Sequence, residues 1–441
     1  MEHTTQGAGS RRDFLKGASA TAAGLALAKD WRSGRAFAQT NARIKGANDR
    51  INLGFCGTGN MGRGHLTWYV KERDSLKIDI IALNDIYTGS VAAATKIMGE
   101  VKHTWYTDYR KLIESKDVDG VLVATPEHWH CKMGLDVLAA GKDMYLEKPL
   151  SLHLHEAKTF YNTYKAKYTD RVLQLGNQNS SDPKWGRIRA LLPQIGKIIW
   201  SQNSYTRNTP AGEWNTPRIP PDFKPEMVDW RQFLGTEFGL APNRPFDADR
   251  FFHWRKYWDY SSGICGDLLA HRIYPFLLAL YGDKPSLPKR VVAMGGQYVH
   301  KTDREVPDTF LMTVDYPDDH TIFLAGSTEN ETGVVPMIRG QKGNITMSPE
   351  AGGKITLTVE RPFAEDLDGL EEPAPEVNPV LHEVHRANWI DCMRTRKRPN
   401  CHIDLAYPGM VALALADISY KSQIMALYDP VKDQMINPPK H

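Results

Sequence analysis

The sequence predicts an α/β fold in two parts, a doubly wound parallel sheet followed by an α+β domain built on an open, largely antiparallel sheet. Three observations carry that expectation. Between residue 51 and about residue 150, apolar β-prone runs alternate with helix-competent stretches, the pattern of parallel strands joined by crossover helices. The first run, Ile51-Asn-Leu-Gly-Phe-Cys56, enters Gly57-Thr-Gly59-Asn-Met-Gly62, a G-x-G-x-x-G turn from which a helix can start. From residue 197 onward the strand signals become short β-like stretches at 197–205, 290–299, 309–316, 320–327, 335–347 and 354–360, which together read as one sheet.

At 441 residues, 41% hydrophobic and 24% charged, the chain is long enough for two or three soluble domains. Residues 1–38 read as a targeting segment. Ser10-Arg11-Arg12-Asp13-Phe14-Leu15-Lys16 is a twin-arginine pattern, the run Gly17 to Ala28 is too short to span a membrane, and Ala36-Phe37-Ala38 is an A-x-A cleavage pattern. The expectation is export by the twin-arginine machinery, a periplasmic or otherwise exported protein, and no membrane anchor. This segment holds six basic and three acidic residues, so its removal takes the formal charge from +3 to zero. A chain without basic excess gives no basis for binding nucleic acid or an anionic membrane. The five cysteines are odd in number and lack C-x-x-C spacing, which points to packing residues. Residues 39–50 follow as a linker.

The first domain is expected over 51–175. Gly57 permits the tight turn, Gly59 lets the backbone approach a pyrophosphate, and Gly62 lets helix pack closely on strand, while the helix N-terminus offers N–H donors to the anion. The helix should run to about Arg73. Ile78-Asp-Ile-Ile-Ala-Leu83 is the second strand and ends in Asn84-Asp85. Asp85, 23 residues beyond Gly62, stands where an acid accepts hydrogen bonds from the adenosine ribose and repels a 2′-phosphate, which favours NAD over NADP. Helices are expected around 89–99 and after Tyr106-Thr-Asp108-Tyr109. Val121 to Ala124 reads as a buried parallel strand stopped by Thr125-Pro126. A helix then runs from His128-Trp129-His130 to Ala140, and Lys142 to Glu147 supplies a strand with a charged end. Two histidines at this spacing without a third ligand do not make a metal site, and His130 fits capping or packing near the cofactor.

Gly57-Thr-Gly59-Asn-Met-Gly62, Asp85, Ala124-Thr-Pro126, Ala140-Gly141-Lys142 and above all Glu147-Lys148-Pro149-Leu150 resemble the Gfo/Idh/MocA oxidoreductases, the family of glucose-fructose oxidoreductase and inositol dehydrogenase. The match runs the length of the first domain. One position departs from it: the Asn that usually follows Thr-Pro is Glu127 here. The resemblance implies a Rossmann domain that holds NAD with Gly57, Gly59, Asn60, Met61, Gly62, Asp85, Thr125, Pro126, His130, Glu147 and Lys148.

A substrate-binding α+β domain is then expected over 176–404, with helices at 383–396 and 405–427, the latter opening a C-terminal segment 405–441. In the family a late helix packs back on the first domain. Residues 206–262 interrupt the strand pattern with Arg207, Trp214, the Pro217 to Pro221 run, Trp230 and Phe251 to Tyr260. Rings stack on the apolar face of a pyranose and Arg binds its hydroxyls, so Tyr205, Arg207, Trp254, Arg255, Tyr257 and Tyr260 are candidates for a carbohydrate site. A packed belt or a contact between copies of a homo-oligomer is the competing reading of the same rings.

Gly263-Ile-Cys-Gly-Asp267-Leu-Leu-Ala-His271 opens an apolar helix. On a helix Asp267 and His271, four apart, share one face, where a carboxylate can orient an imidazole acting as proton acceptor. The resemblance adds roles, because the family carries G-x-x-x-D-x-x-x-H at this place. Lys148 would polarise the reacting oxygen, His271 would take the hydroxyl proton, and Asp267 would tune that step.

The resulting expectation is an exported NAD-dependent oxidoreductase that moves hydride to or from a secondary alcohol of a sugar, polyol or glycoside. Its cofactor should be held tightly, since no free NAD pool is expected outside the cytoplasm. The alternative within the same fold is an NAD-dependent glycosidase that oxidises C3 transiently, as in family-109 glycoside hydrolases, with Tyr205, Tyr257 or Tyr260 moving protons. A dinucleotide-binding protein without turnover is a third reading, opposed by Lys148, Asp267 and His271.

Overall fold

The computed structural model describes residues 49–377 and 380–439. The twin-arginine segment and most of the linker lie outside the described residues. Parallel strands β1 (Ile51–Cys56), β2 (Ile78–Asn84), β3 (Thr104–Tyr106), β4 (Gly120–Val123), β5 (Asp143–Glu147) and β6 (Leu173–Gly176) form one sheet in the order β3-β2-β1-β4-β5-β6. Helices α1 (Asn60–Lys71), α2 (Thr88–Met98), α3 (Tyr109–Glu114), α4 (His130–Ala139) and α5 (Leu154–Lys167) make the connections. Every residue of β4 and β5 is buried, as expected of central parallel strands covered on both faces. Strand order reverses between β1 and β4, and in such sheets the crevice outside the carboxyl ends at that point is where a ligand lies.

The second sheet has ten strands. Its order is β14-β13-β12-β11-β7-β10-β9-β8-β15-β16, with β7 at Ile198–Thr206, β8 at Arg290–Gly296, β9 at Thr309–Tyr316 and β10 at His320–Ser327. Next come β11 (Met337–Gly340), β12 (Gly343–Met347), β13 (Lys354–Val359), β14 (Leu370–Pro373), β15 (Ala426–Asp429) and β16 (Gln434–Met435). All pairings are antiparallel except β7 with β10, because the chain leaves the sheet after β7 for the 206–262 segment and re-enters it elsewhere. Alternate residues of β10 are buried, the period expected of a sheet packed on one side.

Two sequence expectations change. The stretch 335–347 is a hairpin of two strands rather than one run. The last helix, α11 (Ile403–Ser422), ends with Gln423 in the left-handed region, and residues 426–435 then add β15 and β16 to the second sheet. The C-terminal segment is thus part of the second domain, a connection that the weak apolar pattern of 426–435 does not announce.

Between these helices and strands lie α6 (Lys184–Leu191), α7 (Trp230–Leu234), α8 (Ala248–Phe252), α9 (Ala270–Tyr281) and α10 (Leu381–Thr395). Helix α10 returns to the first domain, where Trp389 is fully buried against Tyr69 and Tyr145. Just past its end, Arg396 forks onto Asp143 at 2.6 and 2.8 Å. These contacts hold α10 against the first sheet, with Arg396 at the amino end of β5.

Candidate active site

The glycine turn has the shape a pyrophosphate needs. Gly57 has φ +88°, a conformation side chains disfavour, and a Cβ on Gly62 would lie 2.1 Å from the Gly57 carbonyl oxygen. Gly59 faces open space and starts α1 without a side-chain cap among the described residues, at the end where a helix has N–H groups without intrahelical partners. Asn60 accepts from Arg63 at 2.7 Å, and Met61 is exposed beside it. Gly62→Ala should cost about 1–3 kcal/mol of stability and weaken NADH binding. Calorimetric melting and fluorescence titration check both, and an unchanged titration would remove this turn from the site.

Asp85 already accepts from Thr58 N (2.6 Å), Thr58 Oγ1 (2.8 Å) and Tyr87 N (2.9 Å). The Ile86 N–H adds to these, so the carboxylate is held rigidly at the end of β2, where an acid meets the adenosine ribose in this fold. Across the crevice, the Thr125 hydroxyl is buried with no partner among the described residues. Pro126 follows it and leads into the turn at Glu127. The ring nitrogens of His130 lie 2.6 and 2.9 Å from the carbonyl oxygens of Pro149 and Thr125, so the ring sits between the Thr125 turn and the end of β5.

Lys148, at the carboxyl end of β5, donates to the Asp267 carboxylate and to the Asp267 carbonyl, both at 2.6 Å. Arg255 reaches the same carboxylate oxygen at 3.1 Å. Burial alone pushes the Asp267 carboxyl up, but the two cations hold it far below the ordinary carboxylate range. The local backbone differs from the expected regular helix. Asp267 sits in a π-helical turn, Ile264–Leu269, and α9 begins only at Ala270. Its carboxylate turns to Lys148 and Arg255 instead of orienting the imidazole of His271.

Burial pushes the His271 imidazole well below its ordinary 6.5, and the Lys148 charge adds to the effect. The ring is therefore neutral near pH 7, with Nδ1 buried and unpartnered among the described residues. Tyr205 lies beside it, ring centres 5.7 Å apart, and the Tyr205 hydroxyl accepts from Arg207 at 2.8 Å. Lys148, Asp267, His271, Tyr205, Arg207 and Arg255 thus gather at the crevice. The other three substrate candidates do not join them. Trp254 lies under the Arg255 guanidinium, Tyr257 donates to Asp249, and Tyr260 is fully buried against Phe233 and His128. They belong to a packed ring belt, the competing expectation for this segment.

A family profile described as "Oxidoreductase family, NAD-binding Rossmann fold" matches residues 51–176. A second, "Oxidoreductase family, C-terminal alpha/beta domain", matches residues 212–440. The chain belongs to the Gfo/Idh/MocA oxidoreductase family. Its first domain is an NAD-binding Rossmann domain, as the glycine turn and Asp85 anticipate. Among curated relatives, scyllo-inositol 2-dehydrogenase (NAD(+)) of Bacillus subtilis is 26% identical over 52% of this chain and 69% of its own length. Alpha-N-acetylgalactosaminidase of Shewanella oneidensis is 27% identical over 35% of this chain and 36% of its own length. Levoglucosan dehydrogenase, solved with NADH and levoglucosan, shares the fold with a TM-score of 0.62 at 17% identity, over 89% of this chain and 100% of that one.

Within this oxidoreductase frame the structure adds His65 and Arg386, which no sequence motif singled out, and moves Glu147 from the expected cofactor contacts to theirs. Glu147 does not point at the crevice. It accepts from His65 Nε2 at 2.7 Å, while Arg386 of α10 donates to His65 Nδ1 at 2.8 Å. An Arg can only donate, so the ring proton is on Nε2. Burial pushes the Glu147 carboxyl up, but the bond from His65 brings it to about 2. This chain of three fixes the backbone that carries Lys148. His65 was legible only as one polar residue on the inner face of α1.

Glu127 is fully enclosed, accepting from Ser261 Oγ (2.7 Å), Ser262 N (2.9 Å) and Ser262 Oγ (3.2 Å). Burial, reinforced by Asp267, pushes its carboxyl up from 4.5 to about 7. The folded state then binds a proton more tightly than the unfolded state, so the associated stability is present below pH 4.5 and is lost as pH rises through 7. Melting of the protein relative to Glu127→Gln should improve as pH falls from 7.5 to 5. An unchanged difference would show that Glu127 keeps its charge throughout.

Proposed function

We propose that this protein is an exported NAD-dependent oxidoreductase that moves hydride between a tightly held NAD and a secondary alcohol of a sugar, polyol or glycoside. The observation that carries the reading is the placement of Lys148 beside Asp267 and His271 at the carboxyl end of β5, in the sheet whose β1 leads into the glycine turn. The unpartnered Thr125 hydroxyl and the open face at Gly59 suit a nucleotide that supplies a polar partner and fills that space. NAD, when bound, accepts the hydride from the carbinol carbon. Lys148 has a third N–H to donate to the carbinol oxygen, which gains negative charge as hydride leaves. His271, neutral and held beside Lys148, takes the hydroxyl proton. Arg255, Arg207 and Tyr205 supply donors and an aromatic surface for the remaining hydroxyls.

The dehydrogenase and glycosidase relatives favour a carbohydrate or polyol substrate class. Incubation with a chromogenic glycoside, without added cofactor, separates net oxidation from redox-neutral hydrolysis. Aglycone release with no accumulation of NADH would overturn the simple dehydrogenase. Arg11 and Arg12 support export, and a double Arg→Lys variant should leave the protein in the cytoplasm with its first 38 residues attached. A homo-oligomer is supported by exposed Met294, Tyr298 and Val299 near one end of the second sheet, and native mass spectrometry gives the subunit number.

A further inference from the structure

We propose that Tyr87, with Phe223 and Phe252 of the 206–262 segment, clamps the adenosine end of the cofactor, so that the second domain holds the adenine of a nucleotide seated on the first. The inference rests on the NAD reading above and extends it to residues that no motif marks. A dinucleotide with its pyrophosphate at α1 and its ribose at Asp85 carries the adenine onward over the carboxyl ends of β2 and β3. The first residues there are Ile86 and Tyr87.

In this chain the 206–262 segment is bonded to those two residues. Asp229 N donates to the Ile86 carbonyl at 2.9 Å, and Tyr87 forms an isolated antiparallel bridge with Val228. The Tyr87 ring meets Phe223 at 6.0 Å and Phe252 at 5.5 Å, both edge to face. All three rings are only half-buried, leaving apolar surface for a flat base. Arg63, which donates to Thr58 O at 3.0 Å, and Asp222, next to Phe223, both lie close enough for their charges to act on the Tyr87 hydroxyl. The β2 end and the segment therefore meet at Tyr87.

The segment is also anchored further along the same edge. The Phe233 carbonyl accepts from His128 Nε2 (2.8 Å) and Trp129 Nε1 (2.9 Å), and Ser261 and Ser262 donate to Glu127. These anchors run from the end of β2 to the turn after β4.

The test compares NADH with reduced nicotinamide mononucleotide, which lacks the adenosine, as ligands of the full chain. Phe223→Ala should weaken NADH at least tenfold and leave the mononucleotide unchanged. Phe252→Leu, which keeps apolar bulk but removes a flat ring, should shift NADH in the same direction and guards against a folding failure of the first variant. NADH binding unchanged in both, or both ligands weakened by one factor, would overturn the clamp. A parent protein that binds neither ligand would sink the NAD reading itself, and the clamp with it.

Discussion

Replacing Lys148 by Met is expected to lower turnover at least about 100-fold, the usual loss when one preorganised donor to a developing oxyanion is removed. It should also lower the melting temperature. The ammonium and the Asp267 carboxylate are both nearly buried, 11% exposed on each side, and breaking such a pair from one side costs roughly 3–5 kcal/mol. Arg255 still reaches Asp267, which places the expected loss at the lower end of that range. The two effects separate in a double variant. Lys148→Met with Asp267→Leu removes both charges, so stability should return while turnover stays low. Lys148→Arg keeps the charge but replaces a compact ammonium by a planar fork that does not fit both Asp267 oxygens, and it should recover little activity. Turnover within threefold of the parent in the Met variant would remove Lys148 from the chemistry and leave it as a strut between the two domains.

The parts of the fold carried by local pattern were legible from the sequence, and the parts carried by long-range packing were not. Parallel strands read as continuous apolar runs because both faces are covered, and β4 is such a run. The glycine turn was legible because backbone geometry restricts Gly57 and Gly62 to one residue type. Asp267 and His271 were placed on one helix by their spacing, but the π-helical turn changed which neighbour the carboxylate meets. The rings of 206–262 show the limit most clearly. Their density left two readings open, stacking on substrate or a packed belt, and Tyr260 and Trp254 pack around Phe233 while the segment is anchored to Ile86, Glu127 and His128. No local period encodes that docking, since its partners lie more than a hundred residues away in the chain. The His65, Glu147 and Arg386 chain is of the same kind, with Arg386 contributed from 321 positions beyond His65.

His271→Asn should lower turnover by about 100- to 10,000-fold, the range lost with a positioned general base. The asparagine retains polarity and much of the ring's bulk, so the change reads the proton and not a cavity. Two pH signatures follow. In the parent, burial and the Lys148 charge hold the imidazole well below 6.5, so the rate should show no fall attributable to this group between pH 8 and 6.5. In the variant, solvent hydroxide is the remaining acceptor, and the residual rate should climb about tenfold per pH unit where the parent is flat. Stability gives an independent reading. A histidine with a depressed folded-state pKa contributes stability that is present above 6.5 and is lost as pH falls below it, because the unfolded chain binds a proton that the folded chain refuses. The variant lacks that titration, so its melting temperature should fall less than the parent's between pH 7 and 5. A variant with the parent's rate profile but the altered melting profile would leave His271 as a packed residue and pass the proton to another acceptor in the crevice. Tyr205, 5.7 Å from the ring, is the first to test by Tyr205→Phe.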